Sequence, residues 1–294
     1  MEPVPNFKLN SGYEIPLIGF GTARNVELVD MCIEHALAAG YRLFDTARKF
    51  RNEQEVGDAL KRYLPLYNIK REDVFISTKI PLSDENAAEH AETCLKESLE
   101  RLQVDYIDLV MIHYPKDWKE GVNNDRETNR STRYQTWRKL EEFQECGLIR
   151  SIGVSNYEVY HLQELLGYAK VKPSVNQIEF HPYCSRAQIL AMCKDNNIFV
   201  QGYSCLMRGN REIHTEPVLK KLREKFNVNT ETILYAFPFN AGVGIIPNAS
   251  TPIRINENIF QTMKIKLSRE EVRELMDLDR NHNLATKCWP YKVL

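Results

Sequence analysis

Short apolar, β-branched runs alternate with amphipathic stretches along the whole chain, and this alternation most constrains the fold. The strand candidates are Ile15–Gly19, Arg42–Asp45, Val74–Lys79, Ile107–His113, Ser151–Val154, Val175–Glu179, Phe199–Tyr203 and Gly244–Ile246. Most are apolar at successive positions, as parallel strands buried on both faces must be. Helical spacing fills the gaps. Over Asn86–Leu102, Ala88, Ala91, Leu95, Leu99 and Leu102 keep a helical period, and a second helix over Tyr134–Cys146 is expected to stop at Gly147. Eight strands, each followed by a helix, favour a closed (β/α)8 barrel over an open sheet. The segment FKLNSGYEI predicts a hairpin about Asn10–Gly12 that plugs the barrel floor.

A chain of 294 residues suits one such barrel, and no linker divides it, so residues 1–294 read as a single domain. Hydrophobic residues make up 43%, charged residues 27%, and the net charge is −1. That balance gives no global pull toward nucleic acid or a membrane surface. No apolar run reaches the ~18–20 residues needed to span a bilayer. The opening MEPVPNFKLN has neither the basic nor the apolar region of a secretory signal. Seven cysteines, an odd number without a CxxC pair, fit a reduced compartment. The expectation is a cytoplasmic monomer.

Gly19-Phe-Gly21 begins a dinucleotide fingerprint but does not complete it, because the third glycine position holds Arg24. The least regular stretches are Lys116–Arg133, Cys205–Thr215 and Asn281–Leu294. Each follows a strand or forms the tail, where barrel enzymes carry substrate loops. His35, His90, His161, His181, His214 and His282 show no metal-ligand spacing. Cys184 and Cys205 have no base placed beside them, so neither a metal nor a thiol nucleophile is expected.

Five segments carry the chemistry: YRLFDTARKFRNEQEVG over Tyr41–Gly57, FISTKI with Lys79, DLVMIHYP with His113, SIGVSN with Ser155 and Asn156, and VNQIEFHPY with Gln177. Asp45, Lys79 and His113 fall at C-terminal ends of strand candidates, so a barrel would bring them to one rim. An ammonium beside a carboxylate can tune a proton donor, or it can persist as a buried ion pair for folding reasons alone. Together with the GYEIPLIGFGT opening and the INEN of Ile255–Asn258, these segments resemble the aldo-keto reductase family, NAD(P)H-dependent carbonyl reductases on a (β/α)8 barrel with an additional C-terminal helix.

The resemblance implies a catalytic tetrad of Asp, Tyr, Lys and His. Asp45, Lys79 and His113 match three members, and Phe50 stands at the tyrosine position. In the family a tyrosine hydroxyl protonates the carbonyl oxygen as hydride arrives at carbon. Its pKa of about 10 is lowered by the lysine, which the carboxylate holds in place. A phenyl ring has no such proton to give. His113 or a water would then be the substitute donor. Tyr114 is a poor replacement, since neighbours along a strand point to opposite faces.

The resemblance also assigns a cofactor, NADP(H) or NAD(H), and a small aldehyde or ketone as substrate. Ser155, Asn156 and Gln177 match the carboxamide ligands, and Tyr203 matches the ring that stacks on the nicotinamide. Taken alone, Tyr203 also reads as a packed core aromatic. Gly21, Thr22, Asp45 and Ser204 complete the cofactor-facing set. At the adenine end the family pattern is IPKS followed by TPxRIxEN, whereas this chain reads IIPNASTPIRINEN. Asn248 replaces the lysine and Ala249 the serine, while Arg254, Glu257 and Asn258 remain. A lost charge-assisted hydrogen bond is worth about 1.5–3 kcal/mol, roughly ten- to hundredfold in affinity. NADP(H) is therefore expected to bind more weakly, or its preference over NAD(H) to narrow, unless Ser250 or Thr251 fills in through a shifted loop. Pro238, inside the helical LYAFPFNAG, is expected to bend that helix and shift Asn248. Two functions follow: a diverged oxidoreductase with weakened or absent carbonyl turnover, or a nucleotide-binding pseudoenzyme.

Overall fold

The chain opens with the expected hairpin: β1 (Asn6–Lys8) pairs antiparallel with β2 (Glu14–Pro16). Eight strands then form one parallel sheet in sequence order: β3 (Phe20–Gly21), β4 (Leu43–Asp45), β5 (Phe75–Ile80), β6 (Ile107–Ile112), β7 (Ile149–Ser155), β8 (Val175–Glu179), β9 (Phe199–Tyr203) and β10 (Gly244–Ile245). Between and after them lie α1 (Val29–Ala38), α2 (Glu53–Leu66), α3 (Ala87–Leu102), α4 (Arg126–Glu145), α5 (Val159–Tyr168), α6 (Ala187–Asp195), α7 (Pro217–Phe226), α8 (Thr230–Asn240), α9 (Pro252–Lys264) and α10 (Arg269–Met276). The structure, a computed structural model, describes residues 2–23, 27–119, 124–284 and 293–294. Arg24 and parts of two of the expected irregular stretches, residues 120–123 and 285–292, lie outside them.

The first and last strands meet. Ile18 bridges Ile245 in parallel. Gly19 N–H donates to the Ile245 carbonyl at 2.8 Å, Ile245 N–H to Leu17 at 2.8 Å, and Gly21 N–H to Pro247 at 2.9 Å. These bonds close the sheet into a barrel and remove its edges. They also explain the two glycines. A Cβ on Gly19 would lie 1.6 Å from the Leu43 side chain, and one on Gly21 would lie 3.0 Å from the Ile246 carbonyl oxygen. The Gly-Phe-Gly pattern is therefore a seam of close backbone approach. It also corrects the first expected strand. Ile15 and Pro16 belong to the hairpin, and the barrel strand starts at Phe20.

Side chains alternate in and out along each strand, and this builds the site. At the barrel floor Leu43, Phe75, Leu109, Val175 and Phe199 face inward and pack with Leu9 and Ile15 of the hairpin. Phe7 stacks on Phe199 with ring centres 4.6 Å apart. The hairpin is thus the floor plug that the turn residues predicted. Their neighbours Phe44, Ile76, Val110 and Val200 face outward into the helix layer. Two residues further along the inward face come Asp45, Ser77, Gln177 and Gln201, in register across β4–β5 and β8–β9. The barrel interior is dry below and polar above.

One helix departs from expectation, and another holds the expected proline. α4 begins at Arg126, not Tyr134, with Asp125 capping it by accepting from Thr128 N–H at 2.8 Å. Its buried face begins with Asn129, Thr132 and Arg133, polar residues that carry no apolar period. Arg133 can be buried because its guanidinium donates to both Glu164 oxygens and to the Pro115 carbonyl. In α8, Pro238 lies in the last turn and the helix continues through it to Asn240. There the proline forfeits one intrahelical bond, and its own carbonyl accepts from Val243 N–H at 2.9 Å. The Cys205–Thr215 stretch contains two 3-10 turns, Met207–Gly209 and Glu212–Thr215. Among the described residues no helix is long and apolar enough to cross a membrane.

Candidate active site

Asp45 ends β4, Lys79 lies one residue before the end of β5, and His113 directly follows β6. All three reach the C-terminal rim. Lys79 Nζ donates to Asp45 Oδ1 at 2.6 Å and to the Thr46 carbonyl at 3.0 Å. The other carboxylate oxygen of Asp45 accepts from Ser77 Oγ at 2.8 Å and Gln177 Nε2 at 2.9 Å. Lys79 is 1% exposed and Asp45 2%. Burial pulls the Lys79 pKa below the ordinary lysine value, with the charge of Asp45 opposing it. A pair desolvated this far needs every donor satisfied, and here Asp45 supplies acceptors to three neighbours.

Phe50 sits on a 3-10 turn, Arg48–Phe50, that follows β4. Arg48 ties the turn to α3 by donating to the Cys94 carbonyl and to Glu97 at 2.7 Å. Below it, Thr46 Oγ1 donates to Asn52, and Asn52 Nδ2 to the Thr22 carbonyl at 2.9 Å. So held, the half-buried phenyl ring has its centre 5.3 Å from Lys79 Nζ and 5.8 Å from the His113 ring, edge-on. The ammonium that would tune a phenol instead faces an aromatic surface.

His113 keeps some exposure toward the cleft, yet its Nδ1 is buried without a partner among the described residues. Burial first, then the charges of Lys79 and Lys49, drives its pKa well below the usual histidine value. The ring is neutral at pH 7. A neutral imidazole can orient a carbonyl oxygen by hydrogen bonding but is a poor acid. Trp118 stands against it with ring centres 4.6 Å apart and also stacks on the buried Tyr114 at 5.4 Å.

The expected nicotinamide residues meet in one network. Ser155 Oγ donates to the Gln177 carbonyl at 2.8 Å, and Asn156 Nδ2 to the His113 carbonyl at 2.9 Å. Tyr203 OH donates to Asn156 Oδ1 at 2.5 Å. Gln177 Nε2 also donates to Gln201 Oε1 at 2.7 Å. Asn156 and Ser204 both take left-handed φ, 63° and 54°, which turns their side chains over the strand ends. Gln201, which sequence reasoning missed, lies two residues before Tyr203 on the same face, and its Nε2 is buried without a partner among the described residues. This set of amide donors and acceptors fits a carboxamide. The signal for Ser77 and Gln201 was present in the sequence as polar residues at the inward period of β5 and β9. Thr22 is fully buried, and both its N–H and its hydroxyl donate to the Asp45 carbonyl at 3.0 Å. It supports the site from below, and Gly21 supports the seam.

The residues expected at the adenine end lie apart, on the loop between β10 and α9 and on α9 itself. Asn248 is exposed and donates its side-chain amide to the Ala23 carbonyl. Ala249 is buried, and its carbonyl accepts from Cys32 Sγ at 3.5 Å. Arg254, Glu257 and Asn258 occupy the first two turns of α9, whose unpaired backbone N–H groups favour an anion. Positions 248 and 249 contribute no cation there. The amide network at the rim fits a carboxamide, and Arg254 is the cation that the first turn of α9 offers an anion. A cavity of about 650 Å³ opens at the opposite end of the barrel between the hairpin and α9, and none of Asp45, Phe50, Lys79 and His113 lines it.

The model of the Aldo/keto reductase family matches residues 18–280. Aldose reductase B of Dictyostelium discoideum is 35% identical, covering 98% of this chain and 96% of that protein. Methylglyoxal reductase DkgA of Yersinia pestis is 33% identical over 96% of this chain and 95% of that protein. Among solved structures, a Bombyx mori aldo-keto reductase in complex with NADP superposes with a TM-score of 0.87 at 29% identity, covering 97% of this chain and 95% of that one. The aldose reductase of Schistosoma japonicum gives 0.85 at 30%, covering 96% and 94%. Rim, barrel seam and near full-length relatives converge on one placement: this chain belongs to the aldo/keto reductase family.

Proposed function

We propose that this chain is a diverged NADP(H)- or NAD(H)-dependent oxidoreductase of small aldehydes or ketones, with the usual proton-transfer step weakened or lost. The reading rests on Phe50, whose ring lies 5.3 Å from the Lys79 ammonium. The nicotinamide, when bound, supplies or accepts the hydride. Asn156, Ser155 and Gln177 hold its carboxamide, and Tyr203 packs against its ring. Arg254 and Asn258 hold the adenine end. His113 orients the carbonyl oxygen, but as a neutral ring it does not supply the proton. Lys79 cannot take over, because Asp45 and the Thr46 carbonyl hold it behind the Phe50 ring. The remaining donor is water, and that makes turnover slow. The test is Phe50→Tyr, assayed with NADPH and 4-nitrobenzaldehyde. General acid catalysis contributes about 10²–10⁴-fold, so reduction rises by that factor, and adding Lys79→Met abolishes the gain. Family-level rates without the substitution would sink the reading.

A second reading, a nucleotide-binding pseudoenzyme, is favoured by one observation. Both oxygens of Asp45 and two of the three Lys79 ammonium protons are hydrogen-bonded without any phenol. The pair can serve folding alone. Phe50→Tyr at background turnover, with nucleotide still bound, selects this reading.

A further inference from the structure

Gln201, on β9, is fully buried, and its Nε2 donates to nothing among the described residues. A buried amide N–H2 without an acceptor is unfavourable, so its presence calls for a reason. The oxygen of the same amide supplies one. β8 and β9 run in parallel register with Gln177 beside Gln201, so both side chains leave the sheet on its inward face. A primary amide nitrogen has two protons to donate. Gln177 Nε2 places one on Asp45 Oδ2 at 2.9 Å and the other on Gln201 Oε1 at 2.7 Å. It has none left for a ligand. What remains is Gln177 Oε1, which, unlike Gln201 Nε2, is not among the buried atoms sealed off without a partner. Asp45 alone would hold the amide by a single bond, about which its plane can swing. Two acceptors on one nitrogen fix the plane, and so fix where Oε1 points. Turning the Gln177 amide over would set its oxygen against the Asp45 carboxylate and the Gln201 oxygen. Turning the Gln201 amide over would set two N–H2 groups against each other. The orphaned Gln201 Nε2 is thus the consequence of offering Oε1 to Gln177.

We propose that Gln201 is a positioning residue of the nicotinamide subsite: it locks the Gln177 amide with its oxygen toward the ligand, and so makes the site select a ring that carries an N–H2 donor. The proposal rests on the nucleotide-binding reading above only in placing the carboxamide at Gln177. Gln201 itself touches neither nucleotide nor substrate. Without its oxygen, the freed N–H of Gln177 can swing toward the ligand and present a donor where the carboxamide N–H2 needs an acceptor. The site then loses its means of telling a carboxamide from a methyl ketone, although the barrel interior stays filled.

The test compares NADP⁺ with its 3-acetylpyridine analogue, in which a methyl group replaces the carboxamide N–H2, by calorimetric titration of the full chain. The unaltered protein should bind NADP⁺ about tenfold more tightly, as an acceptor left facing a methyl group implies. Gln201→Leu should bring the ratio of the two affinities to within about threefold of one. Its urea midpoint should move little, because one buried donor without an acceptor replaces another. Gln201→Met, closer in shape, serves the same purpose if the leucine variant does not fold. Gln177→Leu is the control and should also lose the ratio. Equal affinities in the unaltered protein, or a ratio that survives both Gln201 substitutions, overturns the positioning role. The two ideas fail separately. A ratio lost in Gln177→Leu but kept in Gln201→Leu removes the positioning role alone, whereas no binding of either nucleotide by the unaltered protein removes the nucleotide reading and the role with it.

Discussion

At the proton-transfer end of the cleft, Asp45 accepts from Lys79, Ser77 and Gln177, and all four side chains are buried. At the end proposed to hold the phosphate, Asn248, Arg254 and Glu257 lie on the surface of one loop and one helix. The contrast shows what retention and replacement mean in each place. A buried charge network resists change whether or not it still does chemistry, because losing one partner strands the other. Phe50 stands at the edge of that network, where exchange of a hydroxyl for hydrogen leaves every bond of the ion pair intact. Surface positions such as Asn248 carry no such folding constraint, so their identity reports more directly on what is bound.

The largest expected effect is the Phe50→Tyr gain in turnover. If Asn248→Lys raises kcat by a comparable factor, the division into a chemical end and a binding end is wrong. Next comes stability. Lys79→Met leaves Asp45 buried without its counter-charge and should cost about 3–5 kcal/mol in urea unfolding, whereas Asn248→Lys on the surface should stay within about 0.5 kcal/mol. Equal costs would erase the contrast. A smaller effect belongs to affinity. Asn248→Lys with Ala249→Ser should tighten NADPH about ten- to hundredfold and NADH little, since only the former carries the 2′-phosphate. Equal tightening of both, measured by fluorescence quenching, would place the phosphate elsewhere.

The smallest effect concerns pH. His113 is held well below the ordinary histidine value by burial, with Lys79 and Lys49 adding to it. In the unfolded chain a histidine titrates near about 6.5. Below that pH the unfolded state binds the proton and the folded state does not. Stability is therefore fully present above about pH 6.5 and falls on acidification, by up to about 1.4 kcal/mol per pH unit. His161, lowered to about 3 by burial and the charge of Arg133, has the same sign. Replacing His113 with Asn should remove one histidine's share of the slope in urea titrations between about pH 6.5 and 4.5. An unchanged slope would mean that the cleft ring is as well solvated as the phosphate end.

Much of this was legible beforehand. The bounds expected for β8 and β9 coincide with those observed, because their apolar runs are short and sharply flanked. The rim residues were legible because inward positions near strand ends point to one cleft. The start of α4 was not, since its buried face is polar and is rescued by Arg133 pairing with Glu164 across sequence. Pro238 was legible as a proline inside a helix, and only the structure shows that it falls in the last turn.

By itself the sequence determined the alternation of strands and helices, the polar set at the strand ends, and the absence of a hydroxyl at position 50. These are properties of local period and covalent chemistry, and they need no neighbour to be true. Only the tertiary structure decided that Gly19 and Gly21 form the barrel seam, that His113 is neutral, that Gln201 lies beneath Tyr203, and that Lys49 rests on Trp118. Each depends on distance and desolvation between residues remote or differently oriented along the chain. Hydrophobic pattern says which face turns inward, but what a buried group meets there is set by the packed arrangement.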